Sequence, residues 1–362
     1  MINKLVLSDF RNYKDITVDF DATINLLVGE NGQGKTNLLE AIYFIAYLRS
    51  FRTSNLSTLK RIGTKGFYIA SEIKSENSWN KLLETEYYIQ KSLRIDHLPI
   101  YKSSEFIGKI KPIIFSSTDI RLISDTSRIR RRFLDMTLSS LDKNYLFILQ
   151  QYMKALRSRN AVLRNHQIDV SLVAAFEPIL AEYAVIIIQK RLQLLKELVN
   201  KADYTLKKIK GDSYSLNVKY ISKLKIKDIT IDYIHNTIVA ERERDTKRKY
   251  SGIGPHMDDI EFSLNGKDLK SFGSLGQWRL IVLCLKMAET EIITANDSDD
   301  RVIALVDDVT GELDSVTKDS FFKTLSSVNQ LFFTLTKYDK TETYFKNASI
   351  YNISDGNVCR EL

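Results

Sequence analysis

The stretch Gly29-Glu30-Asn31-Gly32-Gln33-Gly34-Lys35-Thr36 decides the fold of this chain, because it satisfies every fixed position of the pattern G-x-x-x-x-G-K-[ST]. The run before it, residues 24–28, is apolar and β-prone, whereas residues 37–45 after it have the apolar spacing of a helix. A strand, a glycine-rich loop and a helix in this order form a cradle whose backbone N–H groups converge on phosphate oxygens. The sequence therefore predicts an α/β nucleotide-binding protein.

The residue types in this segment also predict how the nucleotide is held. We expect Lys35 to reach the β- and γ-phosphates of ATP and to take part in catalysis, and the Thr36 hydroxyl to hold Mg²⁺. The predicted ATP contacts in this part of the chain are Gly29, Glu30, Asn31, Gly32, Gln33, Gly34, Lys35, Thr36 and Asn37.

The composition is ordinary for a soluble globular chain. The 362 residues are 44% hydrophobic and 27% charged, and no run of 18 consecutive apolar residues predicts a membrane span. The N-terminus has no signal-peptide pattern. The two cysteines, Cys284 and Cys359, are too few for a disulfide framework or a zinc site. We therefore expect a cytoplasmic protein in a reducing compartment, with no membrane partner.

The distribution of charge is more informative than the net charge of +8. Residues 119–250 contain 26 Lys and Arg against 15 Asp and Glu, whereas the rest of the chain contains 27 against 30. The whole positive excess therefore lies in the middle of the chain. Such an asymmetry favours a polyanion as a second partner, although a solvated basic surface would have the same composition.

The order of strand-like and helical patterns predicts a head domain interrupted by an insertion. Residues 1–118 alternate like strands around one helix, residues 119–205 are helical, and residues 206–250 form a return path. Helical spacing is clearest over residues 144–165, 172–205, 229–249 and 275–295. We therefore predict an ABC-type P-loop ATPase head with two lobes, from residues 1–118 and 251–362, and a mainly helical basic insertion over residues 119–250.

Two carboxylates follow an apolar run at residues 302–306 and predict the metal and water side of an ATPase site. We expect this run to be a strand beside the strand of the glycine-rich loop, so that Asp307 reaches the Mg²⁺ shell. Asp308 would then orient or deprotonate the attacking water.

The long helix predicted at residue 275 opens on Ser274-Leu275-Gly276-Gln277. A hydroxyl, an amide and free N–H groups at a helix start can bind an anion, so Ser274, Gly276 and Gln277 are predicted ATP contacts. The simpler interpretation is that Ser274 only caps the helix.

The motifs follow one another in the order found in ABC-type ATPases. This order is Walker A (residues 29–36), the insertion, the Ser-x-Gly-Gln signature, Walker B (residues 302–308), Leu313-Asp314, and an apolar run ending at Thr334 and Thr336. In detail the chain resembles the bacterial RecF family of recombination mediators, from residue 3 to about residue 340. The segments that carry this resemblance are Phe10-Arg11-Asn12-Tyr13, residues 29–37, Leu39-Glu40-Ala41-Ile42, Ser50-Phe51-Arg52, Arg131-Arg132-Phe133-Leu134-Asp135, Gly254-Pro255-His256-Met257-Asp258-Asp259, Ser274–Gln277 and Asp307-Asp308-Val309.

The chain departs from the family pattern at three places. Met257 stands where the family usually has Arg, Ser117-Thr118 stands where it has Pro-Glu, and Trp278 replaces a more polar residue. None of these changes removes a predicted phosphate or metal ligand, but Met257 puts any family role of that position in doubt.

The resemblance implies a function in recombinational repair, replication and the SOS response to DNA damage. It implies a weak, DNA-stimulated ATPase whose ATP-bound homodimer clamps double-stranded DNA near single-strand gaps or junctions, with hydrolysis as the release switch. It further implies contact with single-stranded DNA and cooperation with RecR and RecO in placing RecA on coated single strands. The candidate DNA contacts in the basic insertion are Arg128, Arg130, Arg131, Arg132, Lys154, Arg157, Arg159 and Arg164.

Three other classes share part of the pattern. A transporter ATPase subunit would need a membrane partner, and an SMC-type head would need a long heptad arm, for which the insertion is too short. A signalling or nuclease-linked module would need an added acidic or histidine-rich cluster, which the sequence lacks.

Overall fold

The computed structural model describes residues 1–75, 78–299, 301–338 and 343–361. The strands are β1 (Ile2–Phe10), β2 (Tyr13–Asp19), β3 (Ile24–Val28), β4 (Phe67–Ser75), β5 (Ser78–Tyr87), β6 (Lys91–Ile95), β7 (Leu98–Pro99), β8 (Lys111–Ser116), β9 (Leu216–Ile221), β10 (Asp259–Leu264), β11 (Lys267–Asp268), β12 (Val302–Asp307), β13 (Gln330–Leu335), β14 (Ser349–Ser354) and β15 (Asn357–Arg360). The helices are α1 (Lys35–Tyr47), α2 (Ser103–Phe106), α3 (Arg121–Ser124), α4 (Ser127–Leu141), α5 (Lys143–Arg164), α6 (Val170–Ala175), α7 (Glu177–Lys210), α8 (Ile231–Arg248), α9 (Leu269–Phe272), α10 (Leu275–Ala295) and α11 (Ser315–Leu325).

These elements form two compact units, residues 1–119 with 289–362, and residues 120–288. The first boundary lies next to the predicted one at residue 118, whereas the second lies well beyond residue 250. The reason is that β9, on the predicted return path, pairs antiparallel with β10 and keeps residues 259–264 in the helical unit. The assignment of the two units as ATPase head and inserted domain stays a prediction.

The first unit contains two six-stranded sheets. One is antiparallel, in the order β2-β1-β4-β5-β6-β7, and the other, β15-β14-β3-β13-β12-β8, is parallel except for β15. Helix α1 packs against strands of both sheets, including β4, β5, β8 and β12. Its buried residues lie on every side of the helix, from Leu38 to Tyr47, because it is covered by apolar strands on more than one face. The glycine-rich loop is therefore anchored between the core of one sheet and the core of the other.

The order of the parallel strands corrects one expectation from the sequence. We expected the strand that ends at Asp307 to lie beside the loop strand β3, but β13 lies between them. Strand β13 pairs with β12 on one side and with β3 on the other. The two strands are alike in buried apolar character, so the sequence could not decide which of them is adjacent to β3.

The second unit is mainly helical, and α7 is its central element. This helix packs against α4, α5, α8 and β9 within the unit. Residues 170–210 form the single stretch, among the residues that the structure describes, that is long and apolar enough to cross a membrane, with a mean hydropathy of 1.8 in its most apolar window. The helix also contains Glu177 and Arg191, both buried and ion-paired within the unit. Packing as a core helix accounts for its apolar character.

A buried polar network surrounds His256 in this unit. The Tyr152 hydroxyl lies 2.6 Å from Nδ1 of His256, and Nε2 lies 2.9 Å from the carbonyl oxygen of Ser251. A carbonyl can only accept, so Nε2 carries the proton and Nδ1 accepts from the tyrosine. Burial lowers the pKa of His256 to about 4, with the backbone bond to Ser251 opposing that shift and nearby arginines adding to it. The fold therefore needs a neutral histidine.

This network predicts a pH-dependent contribution to stability. The unfolded chain takes up a proton on His256 below about pH 6.5, whereas the folded chain resists it down to about pH 4. The contribution is complete above pH 6.5 and is lost as the pH falls towards 4. We expect the stability difference between the wild type and His256→Gln to shrink by about 2 kcal/mol between pH 7 and pH 5 in urea unfolding. His166→Gln, at an exposed histidine, is the control and should leave the profile unchanged.

Candidate nucleotide-binding site

The glycine-rich loop ends where α1 begins, at Lys35. Gly32 and Gly34 have φ values of 84° and 125°, a region that favours glycine. Among the described residues, no side chain caps the start of α1 at Gly34, which leaves the first N–H groups of the helix available to a ligand. Free N–H groups and the positive end of the helix dipole together make an anion site. The loop thus has the geometry that phosphate binding requires.

The ammonium group of Lys35 contacts the backbone of this loop. Its ammonium donates to the carbonyl oxygens of Gly29 at 2.5 Å and Glu30 at 2.8 Å, and the residue is only 8% exposed. Burial lowers the pKa of Lys35, and the carboxylates of Asp307 and Asp308 oppose that shift. The lysine is therefore a partly desolvated cation between the loop and the two acids.

Thr36 and Asp307 lie side by side, as a shared cation would require. The Thr36 hydroxyl donates to Oδ1 of Asp307 at 2.9 Å, and Thr334 from β13 donates to the same oxygen at 3.2 Å. Burial raises the pKa of Asp307, while these two hydroxyls and Arg52 lower it and Asp308 raises it. Hydroxyl and carboxylate oxygens are the ligands that Mg²⁺ prefers, and phosphate oxygens and water complete its shell. The donor set fits that ion.

Asp308 has an unusual backbone. Its φ is 52°, in the left-handed region, and its side chain is exposed at the end of β12. Its N–H donates to the Thr334 hydroxyl at 3.1 Å, so Thr334 contacts both acids of the pair. A strained non-glycine residue that is held by its neighbours is typical of functional positions. The strand end thus separates a half-buried acid, Asp307, from an exposed one, Asp308.

A second set of charged residues beside the loop was not predicted. Glu40 on α1 is fully buried, and both its oxygens accept from Arg11, each at 2.8 Å. Ser50 donates to the same carboxylate, and Arg52 lies 3.4 Å from it. Arg52 also donates to Asn37, which bonds to Asn12. The signal in the sequence was a glutamate in the apolar stripe of α1, since such a residue must be paired.

The signature residues lie in the second unit. The Ser274 N–H donates to Oε1 of Gln277 at 2.9 Å, and the Gln277 N–H donates to the Ser274 hydroxyl at 3.3 Å. This reciprocal pair is a capping box at the start of α10, so Ser274 caps the helix, and its contact with ATP stays a prediction. Ser274 and Gly276 are exposed. They are accessible to an external anion.

The structure sorts the basic candidates by burial. Four of them are exposed, namely Arg128 on α4 and Lys154, Arg157 and Arg164 on α5. Arg131 and Arg132 are half-buried, and Arg131 donates to the carbonyl oxygen of Asp258.

Two of the predicted DNA contacts are corrected. Arg159 is 0% exposed and pairs with Asp245 at 2.7 Å and Glu177 at 3.1 Å. It lies two residues after the exposed Arg157, which places it on the opposite side of the same helix. Arg130 is 6% exposed, and its guanidinium pairs with both oxygens of Asp259. Neither side chain can reach a phosphate from this position.

Comparison with known proteins identifies relatives over nearly the whole chain. The model of the RecF/RecN/SMC N-terminal domain family matches residues 1–357. The chain is 32% identical to the DNA replication and repair protein RecF of Clostridioides difficile (strain 630), over 99% of this chain and 97% of that protein. It is 31% identical to the protein of the same name from Staphylococcus aureus (strain JH9), over 99% of this chain and 100% of that protein.

Solved structures agree as well. A structure of the recombination mediator protein RecF with ATP, described as part of the RecFOR pathway, superposes with a TM-score of 0.90 at 31% identity and covers 100% of this chain and 97% of that chain. The Smc head domain of Pyrococcus furiosus shares the fold, with a TM-score of 0.57 at 15% identity over 99% of this chain and 95% of that chain. The chain therefore has the mixed α/β fold of these ATPase heads, and it belongs to the RecF family.

Proposed function

We propose that this protein is a recombination-mediator ATPase of DNA replication and repair, whose ATP-bound homodimer holds duplex DNA near single-strand gaps. The observation that carries the proposal is the assembly in one unit of the phosphate loop, Lys35, the Thr36–Asp307 pair and the exposed Asp308. The solved structure of the RecF relative is described with ATP, which supports ATP as a ligand of this chain as well. We further propose RecR and RecO as partners, RecA loading as the outcome and the cytoplasm as the location, all from family membership.

The proposed chemistry assigns a task to each residue. The N–H groups of residues 32–36 and the Lys35 ammonium bind the β- and γ-phosphates and offset their charge. Thr36 and Asp307 would hold Mg²⁺, which would supply neutralisation of the phosphate charge. Asp308 accepts a proton from the attacking water or orients it. Thr334 positions both acids, because its hydroxyl donates to the Asp307 carboxylate and accepts from the backbone N–H of Asp308.

Lys35 gives the first test of this site. Lys35→Ala should remove most ATP binding, because it deletes a buried point charge at the terminal phosphates. Lys35→Arg should retain binding better than turnover, since the longer guanidinium misplaces the charge. Calorimetric titration with ATP and sedimentation with and without ATP measure both effects. Wild-type dimerisation of Lys35→Ala with ATP would contradict the clamp mechanism.

The signature gives the second test, because we propose that Ser274 acts on the γ-phosphate bound by the other subunit. Ser274→Arg should leave ATP binding by the monomer intact and block dimerisation, since the exposed hydroxyl becomes a bulky cation at the contact.

Asp308→Asn should bind ATP and DNA but hydrolyse slowly, with a loss on the order of 10²–10⁴ in rate. The dimer of this variant should be long-lived.

Mixing the variants separates the two faces of the proposed shared site. A heterodimer of Lys35→Ala with Ser274→Arg has one intact composite site, so some ATPase activity should return. Neither variant alone should show it. Normal dimerisation of Ser274→Arg, or wild-type turnover by Asp308→Asn, would argue against a site shared between subunits.

The exposed cations of α5 are the proposed DNA-facing surface. Lys154, Arg157 and Arg164 are spaced by three and seven residues, which places them on one face of the helix. Buried residues such as Tyr152 and Leu163 occupy the other face. A row of exposed cations fits phosphates along a duplex and reads no base sequence.

Reversal of these three charges to Glu gives the third test. It should weaken duplex binding alike for all sequences and flatten the dependence of log K on log salt by about one unit for each phosphate that the variant no longer neutralises. A matched control reverses Lys196, Lys208 and Lys225, exposed cations on other elements of the unit. Gel shifts over a salt series measure the slope. An equal effect of both sets would show that the α5 face is not a specific binding surface.

A further inference from the structure

Two tight turns, far apart in sequence, contact the outer side of the phosphate loop. The first joins β1 to β2 and contains Asn12, and the second joins β14 to β15 through Asp355 and Gly356. Asp355 and Gly356 have φ values of 48° and 73°, the conformation of a two-residue hairpin turn. Strand β14 also pairs in parallel with the loop strand β3. The last hairpin of the chain therefore runs beside the loop that binds phosphate.

Both turns bond to one residue of the loop, Gln33. The carbonyl oxygen of Gln33 accepts from the amide of Asn12 at 2.9 Å and from the N–H of Gly356 at 3.3 Å. The side-chain oxygen of Gln33 accepts from the N–H of Asp355 at 2.6 Å. The next carbonyl, that of Gly34, accepts from the Tyr13 hydroxyl at 3.0 Å. Two successive loop carbonyls are thus fixed from outside the loop.

The hairpin approaches the loop too closely to shift without disturbing it. A Cβ atom on Gly29 would overlap the carbonyl oxygen of Ile353 in β14. A Cβ atom on Gly356 would lie 2.7 Å from the carbonyl oxygen of Asn12. Glycine at both positions lets backbone contact backbone.

Fixing these carbonyls also fixes the direction of the phosphate-binding N–H groups. In a planar trans peptide the C=O and the following N–H point in opposite directions. Because the Gln33 carbonyl is held on the hairpin side, the N–H of Gly34 is aimed away from it. The Gly34 carbonyl, held by Tyr13 and by the N–H of Leu38 in α1, aims the N–H of Lys35 in the same way.

We propose that the C-terminal hairpin, residues 349–360, and Asn12 form a brace that positions the phosphate loop for nucleotide binding. Asn12, Asp355 and Gly356 are positioning residues in this proposal, since each of them bonds to Gln33 of the loop. This inference rests on the proposed nucleotide site. It adds that the last hairpin of the chain, after all the ATPase motifs, sets nucleotide affinity.

Gly356→Asn tests the close contact without straining the turn. Asparagine tolerates the left-handed backbone of this position, but its Cβ must push the hairpin away from Asn12. The dissociation constant for ADP with Mg²⁺, measured by calorimetry, should rise roughly two- to tenfold, as for the loss of about one hydrogen bond. ADP has no γ-phosphate for the proposed contact with a second subunit, so its binding to the loop should be measured without dimerisation.

Asn12→Ala is a second variant that leaves the hairpin unchanged. It removes the donor to the Gln33 carbonyl, and with it the acceptor for the Asn37 amide, and should raise the same dissociation constant by at least a similar factor. Because both variants act on one carbonyl, the double variant should bind less weakly than the product of the two factors predicts. Independent structural damage at two sites would multiply instead.

Asn357→Ala is the matched control, because this exposed residue follows Gly356 in the same hairpin and, among the described residues, pairs with β14 rather than with the loop. It should bind ADP like the wild type. Thermal unfolding without nucleotide checks that the variants fold, and the added stability with ADP should shrink only in the brace variants. If the wild type binds ADP and both brace variants bind it equally well, the brace is overturned and the nucleotide site stands. A wild type that binds no nucleotide would overturn the site itself.

Discussion

The structure depends on one geometric constraint, which is that a phosphate loop must point its N–H groups inward while its carbonyls find partners elsewhere. Lys35 accounts for the carbonyls of Gly29 and Glu30, and the turns at Asn12 and Gly356 account for that of Gln33. An unpaired carbonyl in a partly buried loop would cost about as much as a missing hydrogen bond. The parallel pairing of β14 with β3 serves the same need, because it brings the turn at Gly356 to the carboxyl end of the loop strand.

Buried charge limits which basic residues remain for DNA. Arg159 bridges Asp245 and Glu177, and Arg191 pairs with Asp135 at 2.8 Å. Removing one partner of such a pair leaves an unpaired ion in the core, so these arginines are fixed in structural roles. Because the acidic partners also belong to residues 119–250, these pairs leave the positive excess of that segment unchanged. The exposed cations of α5 are fewer than the basic candidates that the composition suggested, but they take no part in these buried pairs.

Much of the fold and site could be predicted from the sequence because local patterns decide it. The helix predicted at residues 275–295 has those bounds in the structure, and the acids at 307 and 308 end a buried strand as expected. Periodicity cannot tell which buried strand neighbours another, so the order of β12 and β13 was predicted wrongly. Burial of Arg159 was also missed, since a charged residue within a basic run looks the same whether it faces solvent or an internal acid. The brace at Gln33 joins positions more than 300 residues apart, and no local pattern reports such a contact.

The two acids at the end of β12, Asp307 and Asp308, differ in exposure and in backbone conformation. Partial burial raises the pKa of Asp307, whereas the hydroxyls of Thr36 and Thr334 and the charge of Arg52 act against that shift. A bound divalent ion would favour its charged form far more strongly. Asp308 has a positive φ and its carboxylate is exposed, whereas that of Asp307 is half-buried. One acid is thereby suited to hold a cation and the other to meet water, so a single strained residue divides the two tasks.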